Sequence, residues 1–428
     1  VTTGQHQRRA WTAPTAEGPV DATVVVPASK SLMARALVVA ALAGGPTTVH
    51  NPLVARDSLL MADALRALGC RVSSPTDGPW QVRPGATSGD STVDCGLSGT
   101  VMRFVPPVAA LGTATTAFDG DPRARARPMS GLLDALRALG VGLSPADARV
   151  LPFAVHGSGR VRGGQVSVDA EESSQYVSGL LLAGCRFTEG LELSAVGAPP
   201  SAPHIEMTVD VLRQQGVAAS TVSPGRWHVP PAVPRGGDVT IEPDMSNAAP
   251  FLAAAVVTGG RVRAPGWPRV TTQTGPALLG LLRHFGATVE QDSSGVTVTG
   301  PEQIRGLGDV DLSAVGELTP TVAAVAALAA GATTIRGVSH LRGHETDRIA
   351  ALTRALQALG GDVEPLADGL HITPSPMRAA TVDCEGDHRM ATFAAVIGLA
   401  VPGTSVDDIG VTSKTMPTFE QLWTDMLR

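Results

Sequence analysis

A phrase of the form Leu-x-x-x-Gly closes a helix-like segment five times along this chain. It stands as LRALG at 65–69, LRALG at 136–140, LRQQG at 212–216, LRHFG at 282–286 and LQALG at 356–360. The closing glycines fall 71, 76, 70 and 74 residues apart. Each glycine suits a left-handed C-cap after an amphipathic helix. After each comes an alternating stretch that reads as a strand: WQVRP at 80–84, LPFAVHG at 151–157, WHVPP at 227–231, GVTVTG at 295–300 and GLHITP at 369–374. A period this long predicts a fold assembled from repeated units.

A second, more apolar helix candidate lies upstream in each unit. These are SLMARALVVAALAG from Ser31, GTVMRFVPPVAALG from Gly99, SSQYVSGLLLAG from Ser173, SNAAPFLAAAVVTG from Ser246, LTPTVAAVAALAAG from Leu318 and HRMATFAAVIGLAVPG from His388. Short strands follow, as in TTVH at 47–50, LELSAV at 191–196 and TTIRGV at 333–338. The last unit ends in PTFEQLWTDML at 417–427 without a closing glycine or strand. The stretch before residue 28 is the candidate to supply the missing strand, although its first ~20 residues carry no pattern of their own. A helix apolar on all sides belongs in a core, and an amphipathic one belongs at its edge. The expected fold is therefore α/β (α+β), with two similar domains of three units each. Sheets would lie outside buried helices, unlike a doubly wound fold whose single sheet is covered on both faces.

Composition narrows the function. With 43% hydrophobic and 17% charged residues the chain can build real cores, which excludes a largely disordered protein. Aromatic residues are only 3%, so those cores must be Ala, Val and Leu. The net charge of -6 argues against bulk nucleic-acid binding while permitting a locally basic cleft. Apolar runs such as 322–330 fall far short of the ~20 residues of a membrane span. No Lys/Arg-led apolar segment opens the sequence, so a soluble cytoplasmic protein is expected. The four cysteines, at 70, 95, 185 and 384, form no CxxC pair, and neither a zinc site nor a redox motif is suggested.

Motifs exclude more. There is no GxGxxG opening a βαβ unit, no GxxxxGK loop and no GxSxG elbow, and HETDR at 344–348 lacks the second His of HExxH. What is present is a set of polar residues where the apolar helices begin. Lys30, Ser31 and Arg35 open the first, Ser98, Gly99 and Arg103 the second, and Ser173, Ser174 and Gln175 the third. Asp244, Ser246 and Asn247 precede the fourth, Glu317 the fifth, and Asp387, His388 and Arg389 begin the sixth. N-capping accounts for the Ser, Asp and Asn residues. Arg35, Arg103 and Arg389 need another reason, because Arg near the positive end of an apolar helix is doubly disfavoured. An anion shared by guanidinium and helix N–H groups is the simplest one.

Other helices add Arg123, Arg125 and Arg127 in DPRARARP (121–128), Ser201 and His204 in SAPHIEMT (201–208), and Arg342, His344, Glu345 and Arg348 in LRGHETDR (341–348). Spacing puts Glu345 and Arg348 on one helical face. The 33 basic residues include only two lysines, Lys30 and Lys414, each in a Ser-Lys-Ser/Thr phrase ahead of a helix. Converging helix starts would make two positive, polar faces, and facing one another these would hold a small polyanionic substrate pair. Glu317 and Glu345 are the candidates there for proton transfer.

Taken in order, PASKSLMARAL (27–37), CGLSGTVMRF (95–104), DGDPRARARP (119–128), SSQY (173–176), SAPHI (201–205), HETDRIAAL (344–352), DHRMA (387–391) and SKT (413–415) resemble the 5-enolpyruvylshikimate-3-phosphate synthase family over essentially the whole chain. The form most resembled is that of high-GC actinobacteria. The resemblance implies two domains of three βαβαββ repeats (the inverse α/β prism of enolpyruvyl transferases), spanning 28–242 and 1–27 plus 243–428. Hinges would fall near 27–28 and 242–243, with closure over substrate. It implies transfer of the enolpyruvyl group of phosphoenolpyruvate to the 5-hydroxyl of shikimate 3-phosphate, on the way to chorismate and the aromatic amino acids. By the same resemblance the reaction is expected to run without metal or other cofactor, in a cytoplasmic monomer that binds neither nucleic acid nor membrane. Glyphosate is the implied inhibitor.

By resemblance, Lys30, Gly99, Arg123, Gln175, Arg348, Arg389 and Lys414 meet phosphoenolpyruvate. Lys30, Ser31, Arg35, Ser173, Ser174, Gln175, Ser201, Glu317, His340 and His344 meet shikimate 3-phosphate. Glu317 would take the hydroxyl proton, Glu345 with Lys30 would protonate the methylene carbon, and Lys414 would steady the leaving phosphate. Departures from the family pattern are Leu97 for Asn, Glu317 for Asp, and His340 and His344 for Asn and Lys. Two rivals differ in their residues. A UDP-N-acetylglucosamine enolpyruvyl transferase would carry a reactive Cys or Asp in the loop at 119–128, and no Cys stands there. A catalytically silent anion binder would not need Lys30, Glu317, Glu345 and Lys414 together.

Overall fold

The computed structural model describes residues 8–86, 89–343 and 345–428. His344, one of the expected acceptor contacts, lies outside the described residues. The chain divides into two compact units, Val1–Pro27 with Pro243–Arg428, and Ala28–Glu242. Each unit has one continuous apolar core. No helix among the described residues is long and apolar enough to cross a membrane.

Within Ala28–Glu242 the second repeat shows the plan. The strand Ser91–Asp94 leads into the helix Gly99–Ala109, which returns to Thr115–Asp119, parallel to the first strand. The amphipathic helix Ser130–Ala138 follows, then the antiparallel strands Gly142–Ser144 and Phe153–His156. The sheet order is leading strand, return strand, last strand, third strand, and two other sheets repeat it. In two more the leading place is taken by a strand remote in sequence, Gly237–Thr240 beside Thr47–His50 and Asp21–Thr23 beside Arg261–Pro265. Every expected hairpin strand forms: Trp80–Arg83, Phe153–His156, Arg226–Val229, Gly295–Thr299 and Leu370–Thr373. The five closing glycines all take positive φ, between 81° at Gly140 and Gly360 and 109° at Gly286, so the left-handed turn is real at each.

The six apolar helices are Lys30–Leu42, Gly99–Ala109, Ser174–Gly184, Met245–Thr258, Thr319–Ala327 and His388–Gly398. Thr319–Ala327 is buried at every position. Three lie side by side in each unit, close enough at one crossing that a Cβ on Gly179 would stand 2.1 Å from the carbonyl oxygen of Arg103. The helices of a unit also start at the same level. Arg35, five residues into its helix, sits over Phe104, five residues into the next, and donates to Ser178, four into the third. In the other unit, Arg389 meets Ser246, each the second residue of its helix.

The N-terminal stretch departs from the expectation in two ways. It supplies two strands. Trp11–Thr12 completes the three-stranded sixth sheet against Ser405–Val406, and Asp21–Thr23 pairs in parallel with Arg261–Pro265 in the fourth. Residues 8–20 are also tied down. Arg8 pairs with Asp407 at 2.8 Å, Arg9 pairs with Glu420, and Ala13 is buried. Trp11 edges onto Phe419, which stacks on Trp423 beside Phe251. These rings concentrate much of the chain's small aromatic content where helix Phe419–Met426 takes the place of the missing hairpin.

Candidate active site

In Ala28–Glu242, Ser29 caps the first buried helix, accepting from Leu32 N at 3.4 Å, and Lys30 is that helix's first residue. The Lys30 ammonium lies 3.4 Å from Asp57, whose carboxylate is only 3% exposed. Sequence reasoning missed Asp57. An acid in the first turn of an amphipathic helix looks like ordinary dipole compensation, and only folding places it against Lys30. Ser173 caps the third buried helix and accepts from Gln175 N at 3.2 Å. Ser174 is buried beside it, and Ser201 takes a left-handed φ of 53° as the chain turns into helix Pro203–Gln214.

The three puzzling arginines find protein acceptors. Arg35 donates through Nε to Thr208 Oγ1 at 2.8 Å, through Nη1 to the Ser31 carbonyl at 2.9 Å, and through Nη2 to the His204 carbonyl at 2.8 Å and Ser178 Oγ at 3.3 Å. It thereby joins the first helix to the Ser201–His204 turn. Arg103 donates to the Pro128 carbonyl at 2.9 Å and lies over the Tyr176 ring at 5.9 Å. Burial, reinforced by the Arg127 charge and opposed by Tyr176, pulls its guanidinium down to about 9. Arg389 is the third and belongs to the other unit. The anion argument from the sequence is thus too simple, since carbonyls and hydroxyls do much of the work assigned to an anion.

Gly99 sits where a Cβ would approach Gln175 Oε1 to 2.9 Å and both terminal nitrogens of Arg127 to 3.1 Å. The buried Gln175 Oε1 accepts no hydrogen bond among the described residues. Arg127 is a second residue sequence reasoning undervalued. Of the three arginines in 121–128, Arg123 is exposed, Arg125 pairs with Asp119 at 2.7 Å, and Arg127 turns in against the second helix. The helix begins at Ser130, two residues after the proline that marks it in sequence.

In the other unit, Glu317 lies in a short 3-10 turn, Gly316–Leu318, ahead of the fifth buried helix. Arg389 Nη2 lies 3.4 Å from its Oε2 and donates to Ser246 Oγ at 2.8 Å. His340 packs on the same turn, where a Cβ at Gly316 would meet its Nε2 at 2.6 Å. Burial and the Arg348 charge hold His340 below its ordinary value, with Glu317 opposing them. Asp387 caps the sixth helix through Arg389 N at 2.8 Å and accepts from Arg348 Nε at 2.7 Å. Glu345 does not share a helical face with Arg348. Asp347 caps the helix Arg348–Ala358 by accepting from Ala350 N, which leaves Glu345 in the preceding bend. Glu345 nevertheless accepts from Arg348 at 2.9 Å and from Lys414 at 2.5 Å. Burial lowers the Arg348 guanidinium, but Asp387 and Glu345 more than offset it, so it is held above its ordinary value.

Each unit thus gathers cations, hydroxyls and helix N–H groups at one end of three aligned helices, a constellation suited to phosphorylated and carboxylated small molecules. This fold with such helix ends defines an enolpyruvyl-transferase type of protein. The structure is similar to the enolpyruvyl transferase NikO of Streptomyces tendae, with a TM-score of 0.76 at 18% identity over 98% of both chains. It is also similar to the EPSP synthase of Acinetobacter baumannii, with a TM-score of 0.82 at 25% identity over 98% of both chains.

The chain belongs to the EPSP synthase (3-phosphoshikimate 1-carboxyvinyltransferase) family, whose model matches residues 14–423. It is 51% identical to the 3-phosphoshikimate 1-carboxyvinyltransferase of Kocuria rhizophila over 97% of this chain and 96% of that one. It is likewise 51% identical to that of Mycobacterium ulcerans over 97% of both. The family catalyses enolpyruvyl transfer in the shikimate pathway, and this chain is an enzyme of that class.

Proposed function

We propose that the chain transfers the enolpyruvyl group of phosphoenolpyruvate to the 5-hydroxyl of shikimate 3-phosphate and releases phosphate, by addition and elimination through a tetrahedral intermediate. The observation that carries this reading is family membership across 14–423, and the sequence holds Lys30, Glu317, Glu345, Arg348, Arg389 and Lys414, the residues the reading needs. Ser31, Arg35, Ser173, Ser174, Gln175 and Ser201 take the acceptor, together with Lys30, His340 and His344. Their hydroxyls and cations suit its phosphate and carboxylate. Arg123, Gln175, Arg348, Arg389 and Lys414 take the donor, with Gly99 leaving room for it.

Chemically, Glu317 removes the hydroxyl proton as the oxygen attacks C2 of the donor, and Glu345 protonates C3. In the second half the proton leaves C3, the double bond re-forms and phosphate departs against Lys414. Charge developing on phosphate and carboxylate is met by fixed cations, which supply the electrostatic stabilisation. The roles of Lys30 and Arg123 on one unit and of Glu317, Glu345, Arg348, Arg389 and Lys414 on the other make both units necessary for turnover. The reading also places the enzyme in the cytoplasm as a monomer. Four cysteines that are all buried and free suit a reducing compartment.

Phosphate release tests the reading. Phosphoenolpyruvate with shikimate 3-phosphate is expected to give stoichiometric phosphate. The same donor with UDP-N-acetylglucosamine is expected to give none. Release only with the nucleotide sugar, or with neither acceptor, refutes it.

A further inference from the structure

The two carboxylate oxygens of Glu345 are held by different cations. Oε1 accepts from Lys414 Nζ at 2.5 Å and Oε2 from Arg348 Nη2 at 2.9 Å. The Glu345 and Lys414 side chains are 10% exposed and that of Arg348 is 2%. A carboxylate clamped in this way is favoured in its ionised form, and an ionised carboxylate has no proton to give to carbon. Yet Lys414 and Arg348 are the groups assigned to the donor's anionic ends, so the two assignments are in conflict while all three side chains stay where they are.

We propose that phosphoenolpyruvate and the Glu345 carboxylate compete for Lys414 and Arg348, so that donor binding frees Glu345 to take up from solvent the proton it then delivers to the methylene carbon. This rests on the reading given under Proposed function and deepens it. It makes Glu345 a built-in competitor of the donor as well as its acid.

The surroundings of Glu345 support the exchange. Asp387, the fully buried cap of the sixth helix, keeps Arg348 in place through Nε at 2.7 Å and Nη2 at 3.3 Å, so that guanidinium stays supported when the Glu345 carboxylate moves off it. From the adjoining loop Glu385 accepts from Thr346 at 2.5 Å and from Arg354. On the flanking residues Asp347 pairs with Arg342 at 3.0 Å. Glu317 and Arg389 pair at 3.4 Å, and His340 lies in the field of Arg348 and Glu317. Once the donor's negative charges occupy Lys414 and Arg348, those charges replace the cations beside the Glu345 carboxylate, which favours its protonated form.

The protons and electrons balance. The Glu345 O–H bond breaks as the C2–C3 π pair forms a C3–H bond. The acceptor oxygen bonds to C2 and its proton passes to Glu317. In elimination a C3–H pair re-forms the double bond, that proton returns to Glu345, and the C2–O bond breaks with its electrons leaving on phosphate.

Calorimetric titration of phosphoenolpyruvate into the full-length protein saturated with 5-deoxyshikimate 3-phosphate, an acceptor that lacks the attacking hydroxyl and so cannot turn over, tests the coupling. Run in two buffers of different ionisation enthalpy, it gives the protons taken up per donor bound. Because the donor's own ionisation is common to both proteins, the difference between wild type and Glu345→Gln isolates this residue. The variant is expected to take up fewer protons, by a difference approaching about one. It should also bind the donor several-fold more tightly while turnover falls roughly 10²-fold or more. Glu345→Ala gives the same reading should the glutamine form not fold. Equal proton uptake in wild type and variant overturns the coupling, whatever the affinities. A wild-type protein that binds no donor at all refutes instead the functional reading beneath it.

Discussion

A methyl group on Gly99 would stand 2.9 Å from Oε1 of Gln175, inside the contact distance that real Cβ atoms keep. The same methyl would press Arg127 at 3.1 Å. Both neighbours end in polar groups, and Gln175 is one of the proposed donor contacts, so Gly99 is a position where one carbon presses on polar side chains rather than on the core. One methyl group in a fitted pocket is worth about 1–3 kcal/mol. Glyphosate is expected to compete with phosphoenolpyruvate in the wild type, and Gly99→Ala is expected to raise its inhibition constant about tenfold or more. Steady-state inhibition of both forms checks this, and equal constants contradict it.

Glu317 is 28% exposed and pairs with Arg389 at 3.4 Å, a longer contact than those Glu345 makes with Lys414 and Arg348. A base must be free to reach a hydroxyl. Glu317→Gln is expected to lower turnover by about 10²–10⁴-fold. Binding of shikimate 3-phosphate, measured by calorimetry, should stay within a few-fold, and a variant that turns over normally removes Glu317 from its role.

Asp387 serves two partners at once, the Arg348 guanidinium and the amide of Arg389, and is fully buried. Asn keeps the cap but drops the charge that Arg348 needs. Leaving a buried cation short of its partner costs about 3–5 kcal/mol when nothing else compensates. With Glu345 still present, Asp387→Asn is expected near the lower end, about 3 kcal/mol, by urea denaturation. The Michaelis constant for phosphoenolpyruvate should rise with it. A variant of unchanged stability would show that Glu345 alone suffices.

For His340 the sign of the pH effect follows from burial and Arg348, which together keep it below the ordinary 6.5 against the pull of Glu317. Between the lowered folded value and the ordinary unfolded one, the unfolded chain binds more protons. Stability is therefore fully present above the ordinary value and is lost as pH falls through the folded value. His340→Gln is expected to flatten the fall in unfolding free energy between pH ~7 and ~5. An unchanged slope contradicts the assignment.

Much of the architecture was legible because it repeats. Five Leu-x-x-x-Gly phrases marked five helix ends, and alternating stretches after them marked five strands, since left-handed glycines and half-buried strands leave local signals. Apolar helices were readable from composition alone. Partners across the fold were not. Nothing local says that Arg35 would spend its donors on Thr208 and His204, or that Lys30 would meet Asp57, because those contacts join residues far apart in sequence. Glu345 was misplaced onto a helix because the spacing to Arg348 is helical, while Asp347 is the better cap and starts the helix later. Residues 8–20 carry no sequence pattern because their strand, Trp11–Thr12, is two residues long, too short for any alternation to register.

Addition and elimination require protons to move on and off the methylene carbon of the donor. If Glu345 protonates C3 and the intermediate carries a freely rotating methyl group, solvent hydrogen must enter the methylene position. Wild-type enzyme turning over phosphoenolpyruvate and shikimate 3-phosphate in deuterium oxide is expected to yield product with deuterium on the enolpyruvyl methylene carbon, read by proton nuclear magnetic resonance. Product formed at full rate with no deuterium at that carbon would contradict addition and elimination altogether.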